Sequence, residues 1–127
     1  MGWGKAFRIK LYDKYNGRCD YSGTLLERDW QIDHIIPKCH GGTDNIDNLV
    51  PCQKIVNHYK RALNVEDFRK QWLGGLHLRL AKLPKNPKVD RSIKRKKYLL
   101  EIAKLFGIKE DKPFSGVFYF EKIDNRG

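Results

Sequence analysis

The strongest constraint on the fold is the order of short segments in the middle of the chain. Residues 30–33 alternate apolar and polar side chains, residues 48–50 place two apolar residues after an asparagine, and each segment predicts a short strand. Residues 35–47, between them, contain proline, a glycine pair and several Asp and Asn residues, which predicts an irregular loop. A strand, a loop and a second strand are therefore expected in that order.

A helix is predicted directly after these strands. Residues 53–63 have one apolar face at helical spacing. Pro51 is expected in the first turn of this helix, because proline cannot continue a strand ladder. Further segments complete an α+β chain: helices are predicted over residues 5–15, 65–73 and 90–106, and a C-terminal strand over residues 116–120.

The length of 127 residues predicts a single domain, 1–127. Its core is expected over residues 19–68, and a basic helical extension over about 76–110. Three cysteines are too few for a disulfide framework. The chain contains no apolar run of about 18 residues and starts without the apolar core of a signal peptide, so we expect a cytoplasmic protein that does not enter a membrane.

Charge is distributed unevenly along the chain, whose net charge is +11. Residues 1–18 carry a net charge of +4, residues 19–57 one of −3, and residues 58–109 one of +11. Basic flanks of this kind favour a polyanionic partner, nucleic acid above all. A phosphate-binding surface alone does not need clustered carboxylates between its flanks, whereas a nuclease uses them to hold a cation.

Four polar residues in the acidic segment point to such chemistry. Asp33 and the amide oxygen of Asn57 are oxygen donors of the kind that Mg²⁺ prefers. Histidine is the side chain best suited to take a proton from water near neutral pH, so His34 is the candidate general base. Asn48 can hydrogen-bond to backbone groups and hold the loop that presents His34.

The ordered set of motifs in this segment resembles the HNH endonucleases, which have the ββα-metal fold. The likeness covers about residues 19–68. The motifs that carry it are residues 33–37, 41–45 and 48–51, and the pair Asn57 and Lys60.

The resemblance implies hydrolysis of nucleic-acid phosphodiesters with one divalent metal ion, Mg²⁺ or Mn²⁺. It implies DNA, expected to be double-stranded, as the substrate. It maps the general base onto His34, metal ligation onto Asp33 and Asn57, and support of the loop onto Asn48.

The chain departs from the family pattern at the structural zinc site. Many relatives hold a zinc ion with two Cys-x-x-Cys pairs, but residues 19–22 supply only Cys19 and residues 53–56 supply no cysteine. Because tetrahedral zinc needs four donors, no structural zinc is expected. The residues expected to pack there instead are Tyr21, Ile55 and Val56. A rearranged zinc site stays open as an alternative, with the donors Cys19, Cys39, His40 and Cys52.

Basic side chains outside the acidic segment are candidates for holding the nucleic-acid backbone. Lys60 and Arg61 are expected on or near the exposed face of the helix over 53–63. A second group starts the helix over 90–106 and comprises Arg91, Lys94, Arg95, Lys96 and Lys97.

Three alternatives stay open. A shift of one residue would make His58 the metal ligand instead of Asn57. A non-catalytic nucleic-acid-binding module on the same fold would use the basic segments alone, although the complete set of four polar residues favours the enzyme. A homodimer is an alternative to a monomer.

Overall fold

The computed structural model describes residues 3–123. Contacts group these residues into two compact units, 3–65 with 117–123, and 66–116. The elements in chain order are α1 (Lys5–Lys14), β1 (Gln31–His34), β2 (Leu49–Cys52), α2 (Lys54–Lys60), α3 (Val65–Asp67), a π-helix (Phe68–Leu73), α4 (Leu76–Ala81), α5 (Asp90–Phe106) and α6 (Tyr119–Ile123).

The first unit contains an antiparallel hairpin of β1 and β2. Asp33 lies opposite Val50 in the ladder, and His34 lies opposite Leu49. Two short 3₁₀ turns, Lys38–His40 and Ile46–Asn48, lie in the loop between the strands. The predicted strand–loop–strand–helix order is therefore present, which makes the unit α+β.

Pro51 is not in a helix, and that part of the prediction is wrong. It lies inside β2, opposite Ile32, and its carbonyl oxygen accepts a hydrogen bond from the Asp20 N–H at 3.0 Å on the side away from β1. Because the N and O of one residue point to the same side of a strand, the N–H that proline lacks would also face away from β1. The ladder between the two strands therefore loses no hydrogen bond.

Helix α2 is shorter than predicted at both ends. It begins at Lys54, after Gln53 in extended conformation, and its last residue is Lys60. Arg61 follows with φ of +55°, a left-handed conformation that ends the helix. The apolar face of α2 includes Val56 and Tyr59, both of which are buried.

The predicted C-terminal strand is also wrong, because residues 116–118 are not in a strand and α6 begins at Tyr119. Phe118 is fully buried and packs edge-on against Tyr21, with 5.5 Å between ring centroids. The Glu121 carboxylate accepts a hydrogen bond from the Phe118 N–H at 2.9 Å, as in a capping box. Side-chain packing and this cap outweigh the strand preference of the aromatic run.

The first unit has an apolar core between the hairpin and the helices. Leu11 of α1, Leu49 of β2 and Val56 of α2 are all completely buried. Of the residues expected to replace a zinc site by packing, Tyr21 and Val56 are buried and Ile55 is partly exposed.

The second unit is helical. α5 has the predicted bounds and ends at Gly107, whose φ of +67° provides the left-handed turn that closes a helix. Leu99 and Ile102 of α5 are buried, as is Phe68, whose ring lies edge-on to Phe106. Among residues 3–123, no helix is both long and apolar enough to cross a membrane.

Removal of the Phe118 ring tests the packing of the C-terminal segment. We expect Phe118→Ala to lower the free energy of unfolding by about 3–5 kcal/mol, the usual cost of deleting a buried phenylalanine. Val117→Ala is the matched control, because Val117 is 43% exposed, and it should change stability by less than about 0.5 kcal/mol. Urea denaturation measures both, and equal losses in the two variants would contradict the packing.

Candidate functional site

His34 is the last residue of β1, and an acidic residue of the following loop orients its ring. The Nε2 atom of His34 lies 2.8 Å from Oδ1 of Asp44. The Asp44 carboxylate also pairs with Lys38 Nζ at 3.1 Å. The hydrogen bond from His34, followed by that from Lys38, lowers the pKa of Asp44. Since an ionised carboxylate only accepts hydrogen bonds, Nε2 is the donor, and in the neutral ring Nδ1 is the nitrogen with a free lone pair.

Asn48 holds both ends of the loop that follows His34. Its Oδ1 accepts a hydrogen bond from the Ile36 N–H at 2.8 Å. Its Nδ2 donates to the carbonyl oxygen of Ile36 at 3.1 Å and to that of Thr43 at 2.8 Å. The Asn48 side chain thus ties the loop to the strand end at which His34 lies.

Gly42 allows the backbone to approach closely inside this loop. A Cβ atom at this position would overlap the carbonyl oxygen of Ile36 and crowd the Nδ2 atom of Asn48. The second glycine of the Gly-Gly pair therefore leaves the space in which the hydrogen bonds of Asn48 form.

Asp33 is buried and has two partners. Its Oδ2 atom accepts a hydrogen bond from the Tyr21 hydroxyl at 2.6 Å and forms an ion pair with Lys60 Nζ at 3.0 Å. No partner within the described residues occupies Oδ1. The Lys60 side chain is completely buried, and the side chain of Asp33 is 8% exposed.

The exposed position predicted for Lys60 is therefore wrong. Lys60 is the last residue of α2, and its side chain extends to β1, where the Asp33 carboxylate compensates its charge. A buried ammonium without such a partner would be costly, which explains why it lies beside a carboxylate. In this structure the ammonium is not accessible to a phosphate.

Asn57 lies three residues before Lys60 and so on the same face of α2. Its Nδ2 donates to Oε1 of Gln31 at 2.8 Å, and Gln31 is two residues before Asp33 on the same face of β1. One helix face thus meets one strand face, and Asp33 and Asn57 belong to these facing surfaces. Asp33 Oδ1 and Asn57 Oδ1 stay available as oxygen donors, which fits a cation that keeps most of its waters.

The alternative metal ligand and the neighbouring basic residue are both on the surface. His58 follows Asn57 on α2 and is exposed. Arg61 is exposed too, in the left-handed position after the helix. Within residues 3–123, no group of three or more His, Cys, Asp or Glu side chains is arranged to hold a metal ion. A cation at this site would therefore depend on Asp33, an amide oxygen and water.

The cysteines separate into a buried pair and an exposed residue. Cys19 and Cys52 are buried and Cys39 is exposed, as is His40. Burial raises the pKa of Cys19, but hydrogen bonds with Cys52 and Ser22 outweigh it and lower this pKa to about 6. Burial, followed by the contact with Cys19, raises the pKa of Cys52 well above its ordinary value. The absence of a structural zinc stays a prediction.

The basic group of α5 belongs to the second unit, and its members are not equivalent. Arg91, Arg95 and Lys97 are exposed and form no ion pair with described residues. Lys94 pairs with Asp90 at 3.2 Å. Lys96 is half-buried, and its ammonium donates to the carbonyl oxygens of residues 84 and 85. Three of the five cations are thus fully available to a partner.

Several residues around the site were not predicted from the sequence. Tyr21 and Gln31 contact Asp33 and Asn57, and Asp44 contacts His34. Asp44 lies in an irregular loop without periodicity, and Tyr21 was expected only to pack. The spacing of Gln31 and Asp33, two apart in a strand, was the one available signal that both face the same helix.

One comparison with known proteins identifies the central segment. Residues 15–63 match the model of a family described as HNH endonuclease. The match covers less than half of the chain and includes β1, β2 and α2. A comparison with curated proteins finds no match.

Removing one partner of the buried ion pair should be strongly destabilising. We expect Lys60→Ala to lower the free energy of unfolding by about 3–5 kcal/mol, since the buried Asp33 carboxylate would lose its compensating charge. Lys54→Ala, at an exposed position of the same helix, is the control and should cost less than about 0.5 kcal/mol. Urea denaturation measures both, and a Lys60→Ala loss as small as that of the control would show that the pair does not form in solution.

Proposed function

The chain belongs to the HNH endonuclease family through residues 15–63, and we propose that it is a metal-dependent endonuclease that hydrolyses phosphodiester bonds of DNA. The observation that carries the proposal is the facing arrangement of β1 and α2. It supports a shared role for Asp33 and Asn57, which keep one free oxygen each next to the strand end that bears His34.

His34 acts as the general base. Its Nε2–H donates to Asp44, so Nδ1 accepts the proton of the attacking water. The Asp44 carboxylate then stabilises the imidazolium that forms, as an acidic partner of a catalytic histidine does. Asn48 holds the loop and so keeps Asp44 within hydrogen-bonding distance of His34.

Asp33 Oδ1 and Asn57 Oδ1 would hold the metal ion, Mg²⁺ or Mn²⁺. When bound, the ion polarises the scissile phosphate and neutralises charge on the leaving oxygen. Tyr21 and Lys60 fix the other oxygen of the Asp33 carboxylate and so orient Oδ1, the oxygen that would hold the ion. His58 is the weaker candidate ligand, because it is exposed rather than on the helix face that meets β1.

Exposed cations hold the backbone of the substrate. Arg61 follows α2 directly, and the available members of the α5 group lie in the second unit. We propose that both units belong to one nuclease chain, with the core over residues 19–68 and the basic extension over about 76–110. Double-stranded DNA as the substrate and a cytoplasmic location stay predictions, and a homodimer stays an open alternative to a monomer.

Cleavage of supercoiled plasmid DNA tests the proposed function. We expect nicking or linearisation with Mg²⁺ or Mn²⁺ and none after addition of a chelator. His34→Ala should slow cleavage by about 10²- to 10⁴-fold, the usual contribution of a general base. His40→Ala is the control, because His40 is an exposed histidine of the same loop and is not among the residues proposed to act in cleavage. No cleavage by the unmodified chain with any divalent metal would reject the enzyme and leave a binding module.

The salt dependence of DNA binding tests the α5 group. We expect neutralisation of Arg91, Arg95 and Lys97 to lower the slope of log K against log salt by roughly 0.9 for each phosphate that the variant no longer binds. Lys96→Gln is the control for charge, since its ammonium already bonds to backbone carbonyls, and it should leave the slope nearly unchanged. An unchanged slope in the triple variant would show that this part of α5 does not contact DNA.

A further inference from the structure

An aromatic pair at the start of α1 lies next to the candidate general base, with Trp3 just before the helix and Phe7 in its first turn. The rings of Trp3 and Phe7 are stacked, with 5.1 Å between centroids and 22° between planes. The Trp3 ring centroid lies 6.3 Å from that of His34. Trp3 and Phe7 are both half-buried and precede the segment that matches the family.

One side of α1 continues from this aromatic pair as a basic surface. Phe7, Lys10 and Lys14 follow each other at spacings of three and four residues, so they share one face of the helix. Lys10 and Lys14 are exposed. The acidic residue of this helix, Asp13, lies at the edge of this face, three residues after Lys10 and about 100° around the helix from Lys14. The face therefore carries a net positive charge, and it spans about 10 Å from Phe7 to Lys14.

The order of aromatic and basic side chains fits one kind of partner. Proteins that bind single-stranded nucleic acid combine aromatic side chains, on which bases stack, with cations that follow the phosphates. Inside a duplex the faces of a base are covered by its neighbours, so stacking on a side chain requires an unpaired or extruded base. Phe7 covers one face of the Trp3 ring, which leaves the rest of that ring for such a base.

We propose that Trp3, Phe7, Lys10 and Lys14 form a single-strand tract that leads into the His34 site. Trp3 stacks on an unpaired base near the scissile phosphate, and the two lysines contact phosphates of the same strand. This inference rests on the proposed function, because it names the part of the substrate that reaches the catalytic histidine. It makes locally unpaired DNA a better ligand than a continuous duplex.

Binding of a labelled oligothymidylate of about 12 nucleotides tests the stacking. Fluorescence anisotropy is measured in EDTA, so that no cleavage occurs. We expect Trp3→Ala to weaken binding by about 5- to 150-fold, the usual loss for one stacked base. Trp3→Phe should keep most of the affinity, because it retains a ring. Trp3→Ala should change the binding of a blunt duplex of the same length by less than about threefold, because the bases of a duplex are already stacked on each other.

The lysines are tested separately with a charge-matched control. Lys10→Gln and Lys14→Gln should each lower the salt slope of oligothymidylate binding by roughly 0.7. Lys5→Gln removes the same charge from the opposite side of α1, where Lys5 is also exposed, and should leave the slope unchanged. Equal changes for all three lysines would overturn the tract, since they would indicate attraction by net charge alone.

The outcomes separate this inference from the proposed function. Trp3→Ala without effect on oligothymidylate binding, or with an equal effect on duplex binding, overturns the single-strand tract even if plasmid cleavage is normal. The expected binding pattern in a chain that cleaves no DNA supports the tract and rejects the endonuclease. Circular dichroism of Trp3→Ala is the control for folding: we expect unchanged helix content, which would show that weaker binding does not reflect unfolding.

Discussion

The buried ion pair between Asp33 and Lys60 is the interaction on which the arrangement of the first unit depends. It joins the end of β1 to the last residue of α2, with 3.0 Å between Oδ2 and Nζ. Charges without access to water are tolerated only when they are paired and hydrogen-bonded, and the Tyr21 hydroxyl supplies the additional bond. If the strand shifted against the helix, one of these charged groups would therefore remain buried in apolar surroundings without its partner.

The alternation of side chains along β1 divides the candidate site into two connected parts. Asp33 faces α2 and belongs to the buried pair, whereas the next residue, His34, points to the other side of the strand. There it is held by Asp44 of the loop, which Asn48 in turn fastens to the strand end. Neighbouring residues thus receive different environments, one that fixes a carboxylate and one that leaves a ring nitrogen accessible. This difference is what a metal ligand and a general base require of adjacent positions.

The sequence predicted elements whose signals are local and missed those that depend on distant partners. α5 was predicted with its observed bounds, because a regular apolar face is followed by Gly107. Pro51 was misplaced because the rule against proline in strands ignores which side of the strand faces its partner. The prediction of a strand over residues 116–120 was wrong because the burial of Phe118 against Tyr21, which is far away in the chain, decides the conformation of this segment. Residue types and spacing predicted roles for Asp33, His34, Asn48 and Asn57, which stay predictions, but they could not predict the neighbours of these residues.

Charge is the clearest case in which the sequence alone misses contacts between distant residues. A net charge of +11 treats every lysine as available to a polyanion, but Lys60 is consumed by the buried pair and Lys96 by two backbone carbonyls. What remains accessible includes the tract on α1 and the exposed part of α5, which belong to different units. Because a salt slope counts only the phosphates that are contacted, it measures the accessible cations rather than the net charge.

The tract on α1 also has the Trp3 ring beside His34, so affinity there depends on whether the bases are paired or unpaired. The cations of α5 respond to the charge of the DNA backbone alone. Discrimination between unpaired and duplex DNA is therefore expected from the first unit, with the second contributing affinity that does not distinguish them.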